Sequence, residues 1–506
     1  MVRSGIRSYF GIVKQQVRES PASWLAFATL LAWMFGLYWS DLFVGRSATV
    51  HLDFIQLRAL WLAVEATTLL VSFFLMRVFG VRVFAVALGA GALLFAGTVV
   101  VLFAPAEASA DGLRIGGVAL TGIGSALLLS LQGVEFARRG PKPLLVNVAL
   151  ALAVASLLDS VLLFLPDDFQ AMAVSLLPAL CIVLLVVSLR GRASSGGPER
   201  DGASAPVLAW EAVAYGANDP ADGPASEKRA AAIRVVVLPL VVGLAYGLMQ
   251  RLTGDAYTAG PTEVNAATIA SFFLSAVFIA LAALFFDSRK LIKLVCFAAI
   301  PTIGIAFVML PLFENAREAA QAICIIGFNS FYFMVWALWA GEGGGIALAK
   351  RFVLGLFVLV GAESLGSVIG LRVVSAAGDS SSALAVVSLV VVYLLLMAGI
   401  FSFDRSGAAV GAASRKRAST ELRDASRSED RSYDEWASRY RLSARETEVF
   451  ELLARGRNRV YISKELYISD NTTRTHMKNI YRKLGVHSQQ ELIDLLEGKI
   501  LGEAPE

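Results

Sequence analysis

Runs of about twenty mostly apolar residues recur as far as residue 403, each long enough to cross a hydrocarbon layer ~30 Å thick. They fall near 22–39, 59–76, 83–104, 115–136, 144–165 and 169–189, then 233–250, 264–286, 291–312, 319–340, 352–373 and 383–403. In lipid every backbone polar group must be bonded internally, so runs of this length are helices. The expectation is an all-α chain with a twelve-helix transmembrane bundle arranged six plus six. Composition agrees, because only 17% of residues are charged where soluble domains average about 25%.

The basic residues give the bundle an orientation. Loops assigned to the cytoplasm hold Arg3, Arg7, Lys14 and Arg18, then Arg77 and Arg82, then Arg138, Arg139 and Lys142. The same side continues with Arg190, Arg192, Arg200, Lys228 and Arg229, then Arg289 and Lys290, then Lys350 and Arg351. The opposite loops hold only Arg46, Arg114, Arg251 and Arg317, with Arg58 and Arg372 at span edges. This positive-inside bias predicts a multi-pass protein of the bacterial cytoplasmic membrane with both termini cytoplasmic.

Two stretches interrupt the apolar pattern. Residues 191–232, rich in Gly, Ala, Pro and Ser, read as a cytoplasmic linker between half one (21–190) and half two (233–403). Residues 404–441, dense in Arg, Ser, Asp and Glu, cannot bury enough apolar area to fold alone. As a coil they reach roughly 34 Å. The end of that linker, SYDEWASRY, is expected to form a short helix that sets Trp436 or Tyr440 on the terminal domain. The N-terminal residues 1–20 read as a cytoplasmic extension.

From Leu442 to the end at residue 506 the texture changes to short capped helices. Ser443-x-x-Glu446 is a capping box opening a helix whose buried side is Val449, Leu452 and Leu453. Gly456 ends it, and Asn458 caps a second helix carrying Ile462 and Leu466. Ser469 caps a third over 470–484, which Gly485 stops, and Ser488-x-x-Glu491 opens a fourth. At about 100° per residue, Thr473, Met477, Ile480 and Leu484 share the core side of the third helix. Arg474, Thr475, Lys478 and Arg482 fall opposite, a basic row beside a hydroxyl that suits a helix in the DNA major groove.

The segment 442–496 resembles the LuxR/NarL-type DNA-binding domain along its whole length. The resemblance rests on Ser443, Arg445-Glu446, Leu453-Ala454, Gly456, Leu466, Ile468-Ser469, Thr472, His476 and the run Asn479-Ile480-Tyr481 through Lys483-Leu484-Gly485-Val486. It implies that Arg474, Thr475 and Lys478 contact bases, and that Ser469, Thr472 and Asn479 contact the DNA backbone or orient the helix. It also implies double-stranded promoter DNA as partner and a dimer seam on the fourth helix at Leu492, Leu495 and Leu496. Three departures stand out: Thr473 where Val is usual, Tyr461 where Glu is usual, and the basic Arg457-Asn458-Arg459.

Within the apolar runs a few ionisable groups stand out, costly in lipid and usual markers of a pathway or pocket. They are Glu65, Asp159 and Glu363, joined by Asn329 and Tyr332, and together they form the expected sensory pocket for a small molecule of unknown identity. Arg58 is placed to pair with Glu65, and Arg372 to reach Glu363. The six-plus-six layout is similar to major facilitator transporters, in which the third helix of each triplet packs outside the cavity. With no nucleophile–base set, phosphate loop or metal constellation, no enzyme and no cofactor are expected. The reading is a membrane-embedded LuxR-family regulator, with a transporter carrying a regulatory DNA-binding tail as its alternative.

Overall fold

The computed structural model describes residues 2–40, 42, 54–76, 83–105, 110–195, 233–253, 261–285, 291, 293–313, 317–340, 345–377, 382–400 and 435–496. Most of both linkers (196–232 and 404–434) lies outside the described residues, as do several of the basic loops. The chain divides into two compact units, Met1–Ala409 and Val410–Glu506.

The first unit opens with α1 (Val2–Glu19), α2 (Pro21–Tyr38), α3 (Phe54–Leu75), α4 (Val83–Phe103), α5 (Asp111–Ala137), α6 (Pro141–Leu162) and α7 (Asp167–Ser195). It continues with α8 (Leu238–Leu252), α9 (Pro261–Phe285), α10 (Ile300–Leu312), α11 (Arg317–Ala340), α12 (Gly345–Ala377) and α13 (Ser382–Ile400). Among the described residues eleven helices are long and apolar enough to cross a membrane. In the expected ninth span, 291–312, the described residues 293–312 are continuously helical, with a π-helical turn at Val295–Ala299 leading into α10.

Proline accounts for the π turn. Pro301 sits in the first turn of α10 and has no N–H to return to the preceding turn, so the bonding slips by one residue. The Ile300 N–H accordingly reaches back five residues to the Val295 carbonyl. The same device recurs before α8, where Ile233–Val237 is π-helical and Pro239 follows.

The packing is pairwise and repeats between the halves. Helices α4 and α5 pack together, as do α10 and α11; α2 packs on α6 as α8 packs on α12. Across the halves, α3 packs on α12 and α9 on α6, the two crossings that a pseudo-twofold axis would exchange. Small residues let the backbones close. A Cβ on Gly247 of α8 would lie 1.9 Å from the Glu363 carbonyl oxygen of α12, so only glycine fits there. Interhelical hydrogen bonds add to this, from Trp33 Nε1 to Thr98 Oγ1 at 2.8 Å and from Trp61 Nε1 to Ser125 Oγ at 3.2 Å.

Burial differs sharply between the helices. The α11 window is 83% buried and that of α2 78%, whereas α7 and α13 are each only 28% buried. Helices α7 and α13 turn Leu176, Leu180, Val183, Leu389 and Leu394 outward. Helix α1 has no counterpart in the sequence reading, which took 1–20 as an extension. It is amphipathic and docked: Gln16 Oε1 accepts from Arg139 Nη1 at 2.8 Å and from Asn147 Nδ2 at 3.0 Å.

The second unit holds α14 (Ala444–Ala454), α15 (Arg459–Glu465), α16 (Asp470–Leu484) and α17 (Gln489–Leu496) around its own core. A helical turn at 435–439 precedes them, and its Trp436 stacks on Tyr440 with centroids 5.4 Å apart, both rings packed on that core.

Candidate functional site

Helix α16 is built from its caps inward. The Ser469 hydroxyl accepts the Thr472 N–H at 3.1 Å and lies 2.7 Å from the Thr472 hydroxyl, so both groups shape the helix start. Gly485 closes the other end at φ 71°, in the left-handed region. Between the caps Thr473 and Ile480 are fully buried, Leu484 is buried and Met477 is half-buried. The Thr473 hydroxyl is satisfied by the Ser469 carbonyl at 3.1 Å, which is how Thr serves where Val is usual.

The opposite face is open. Arg474, Thr475, Lys478 and Arg482 are all exposed. Arg482 Nη2 donates to Asn479 Oδ1 at 3.3 Å, and the Thr475 hydroxyl donates to the Asn471 carbonyl at 2.9 Å. Among the described residues Arg474 and Lys478 have no intramolecular partner, so a guanidinium and an ammonium stand free one turn apart.

Tertiary contacts fix the pose of that face. Arg459 Nε meets Asp470 Oδ1 at 2.9 Å, tying α15 to the first turn of α16, and Arg445 Nη2 donates to the Leu466 carbonyl at 2.7 Å. The departure at Tyr461 is absorbed locally. Its N–H takes the Asn458 cap at 2.9 Å, and Arg457 lies over its ring at 4.9 Å. The capping box at Ser443 is complete in both directions, 3.3 Å and 2.8 Å. The second box is partial, because the Glu491 carboxylate takes the N–H of His487 and not that of Ser488.

Two sequence expectations are corrected here. Phe450, fully buried, fills the core stripe with Val449 and Leu453, while Leu452 is only half-buried at its edge. Leu492 is fully buried in the domain's own core and has no surface for a dimer seam, which leaves the half-buried Leu495 and Leu496.

Lys483 was missed as a structural residue. Its ammonium lies 2.6 Å from Glu446 Oε2 and 3.0 Å from the Arg441 carbonyl. Burial of Glu446 opposes its charge, but hydrogen bonds from Lys483 and Ser443 outweigh that and hold its carboxyl below the ordinary range. A depressed folded-state value contributes stability above the unfolded value and loses it as pH falls through the folded one. Lys483→Met is therefore expected to cost about 1–3 kcal/mol near neutral pH. In thermal melts of the second unit the deficit against wild type should shrink as Glu446 protonates in acid. A deficit constant with pH would contradict the assignment.

In the first unit the polar residues divide between two cavities. Glu65 of α3 and Glu363 of α12, buried at 1% and 4% exposure, face one cavity with Asn329 and Tyr332 of α11. Its interior volume is about 50 Å³, and it is walled by Trp39, Trp61, Tyr246 and Phe328. The two carboxylates are within electrostatic reach of each other, and Glu363 Oε1 accepts from Gln250 Nε2 at 2.8 Å.

Asp159 does not join them. It faces an adjoining cavity with Ser40, Gln170, Asn265 and Thr268, and among the described residues neither of its carboxylate oxygens has a hydrogen-bond partner. The reason is topological: Asp159 belongs to the α6–α9 crossing and Glu65 and Glu363 to the α3–α12 crossing. Phe35, Trp39 and Phe272, which line both cavities, stand between them. Phe35 of α2 stacks on Phe272 of α9 with centroids 3.5 Å apart.

The expected ion pairs are also absent among the described residues. Arg58 lies over the Trp39 ring at 4.2 Å and donates to the Tyr38 carbonyl at 3.4 Å, without pairing to Glu65. Arg372 is exposed and does not meet Glu363.

The second unit is thus a helix-turn-helix DNA-binding domain whose α16 is held from behind and basic in front. Residues 440–496 match the family described as bacterial regulatory proteins, luxR family. The chain belongs to that family through this domain. It is 43% identical over 63 residues to the spore germination protein GerE of Bacillus subtilis, covering 12% of this chain and 85% of that protein. It is 45% identical over 53 residues to the Fimbriae Z protein of Salmonella typhimurium, covering 10% of this chain and 25% of that one.

The membrane unit resembles solved transporters in fold. A bacterial homologue of the iron transporter ferroportin, in an outward-facing state with soaked iron, aligns at TM-score 0.51 and 12% identity, covering 77% of this chain and 99% of that one. A major facilitator superfamily transporter, FucP, in the outward conformation aligns at TM-score 0.46 and 14% identity over 76% of this chain and 98% of that chain. The chain joins a membrane unit similar in fold to the ferroportin homologue to a luxR-family DNA-binding domain.

Proposed function

We propose that this chain is a membrane-embedded transcriptional regulator that senses a small molecule in its helix bundle and binds promoter DNA through α16. The observation that carries the proposal is the pairing of an exposed basic face on a helix of the luxR-family domain with a membrane unit holding buried carboxylates around a cavity. Arg474, Thr475 and Lys478 read base edges, Arg482 joins them on the same face, and Ser469, Thr472 and Asn479 set the helix and approach the backbone. The basic loops orient the bundle in the bacterial cytoplasmic membrane with both termini cytoplasmic, where DNA is. On DNA the domain pairs as a dimer through α17, using Leu495 and Leu496.

A ligand that binds one arrangement of the two halves better than another shifts the population between them, and that shift changes the freedom of the DNA-binding domain. A transporter with a regulatory tail is the alternative, favoured by the major-facilitator-like fold, and uptake assays in vesicles separate the two. The test of sensing is a promoter reporter in cells carrying either the full chain or residues 410–506 alone. The full chain is expected to give output that changes with inducer, and the fragment to give output that does not. An inducer response retained by the fragment would place sensing outside the bundle.

A further inference from the structure

The cavity at the α3–α12 crossing has a chemistry of its own. Glu65 and Glu363 face it, and among the described lining residues there is no Lys, Arg or His. Arg58 stands behind Trp39, engaged with that ring and with the Tyr38 carbonyl. The buried Arg58 guanidinium acts electrostatically on Glu363, whereas no cation acts on Glu65 among the described residues, so the pair of carboxylates still gains by accepting one positive charge in a low-dielectric interior. Half of the sixteen lining residues are aromatic, and aromatic faces attract cations as well as apolar rings.

One further polar group is unsatisfied. Asn329, 8% exposed and lining the cavity, has its side-chain Nδ2 without a hydrogen-bond partner among the described residues. A buried donor left unpaired calls for an acceptor. Tyr332 of the same helix lines the cavity beside it, edge-on to Phe333 at 4.9 Å between centroids.

We infer that this cavity takes a small organic monocation, an aromatic amine whose ammonium lies against Glu65 and Glu363 and whose ring carries an oxygen for Asn329. Anionic ligands are disfavoured by the two carboxylates, and a neutral isostere leaves Glu65 without a compensating cation. The inference deepens the receptor reading and rests on it for any transcriptional consequence. Binding itself stands on the cavity alone.

The experiment uses the full chain in lipid nanodiscs, with binding followed by calorimetry and by quenching of tryptophan fluorescence. The probes are tyramine, phenethylamine (which lacks the ring oxygen), tyrosol (the neutral alcohol) and phloretate (the carboxylate). Tyramine is expected to saturate one site, with tyrosol about tenfold or more weaker and phloretate not bound. Glu65→Gln and Glu363→Gln should each weaken tyramine about tenfold or more. Asn329→Ala should bring tyramine down to the affinity of phenethylamine while leaving phenethylamine unchanged, which a misfolded variant would not do.

Tyrosol or phloretate binding as tightly as tyramine, or neither amine binding, overturns the inference. A promoter reporter read alongside keeps the two ideas apart. Amine binding without any change in output supports the cavity assignment and contradicts the receptor reading. Output that responds to phloretate in its place contradicts the cavity assignment and leaves sensing intact.

Discussion

Arg474→Ala and Lys478→Ala, made singly in the 410–506 fragment, are each expected to weaken promoter binding roughly tenfold to a hundredfold, the worth of about 1–3 kcal/mol per base contact. Both side chains are exposed and have no partner within the described residues, so their loss removes no folding contact. Circular dichroism and melting should therefore be unchanged while a gel shift fails. The two substitutions should also differ in kind. Loss of a bidentate guanidinium relaxes discrimination at one base pair, whereas loss of a point charge that reaches only phosphate would lower affinity uniformly and flatten the salt dependence. Wild-type affinity in both variants would remove α16 from the DNA interface.

Phe450→Ala should act from the other direction and unfold the domain. Phe450 is fully buried in a small core with Val449, Leu453, Ile462, Ile480 and Leu492. Truncating a buried Phe costs about 3–5 kcal/mol. A domain this small sits at the low end of the usual range of about 5–15 kcal/mol, so little stability remains. The expected result is loss of a cooperative thermal transition and of DNA binding together. Phe450→Leu, which keeps most of the volume, should retain both at a lowered melting temperature. A cooperative transition in Phe450→Ala close to that of wild type would contradict the packing described here.

The exposed face of α16 and the buried Phe450 mark what sequence periodicity can and cannot reach. The faces of α16 follow from an angle of 100° per residue, because a helix of that length has one buried stripe, and Thr473, Ile480 and Leu484 lie on it. Its caps are local as well, needing only Ser469 and Gly485 at the ends. Phe450 is harder to assign. In α14 apolar residues occupy both edges of the stripe, and only the packing against α16 and α17 decides that Phe450 goes in and Leu452 to the rim. The Lys483–Glu446 and Arg445–Leu466 contacts join residues more than twenty positions apart, and no local pattern announces them.

The membrane unit makes the same point at larger scale. Hydropathy locates apolar runs because lipid imposes a length, yet it is one-dimensional and does not say which helices cross. Glu65, Asp159 and Glu363 were legible as costly groups, but their division into two cavities depends on the α3–α12 and α6–α9 crossings. The π turns had a visible cause in Pro239 and Pro301. The register slip itself needed the backbone to be seen.

The central claim, that a chain held in the membrane reads DNA with α16, is tested most directly by crosslinking and immunoprecipitating the full chain from the membrane fraction and sequencing the attached DNA. The account predicts enrichment at a small set of promoters, lost when Arg474→Ala and Lys478→Ala are combined while membrane abundance is unchanged. Enrichment that survives the double substitution, or no enriched promoter at all, would contradict it.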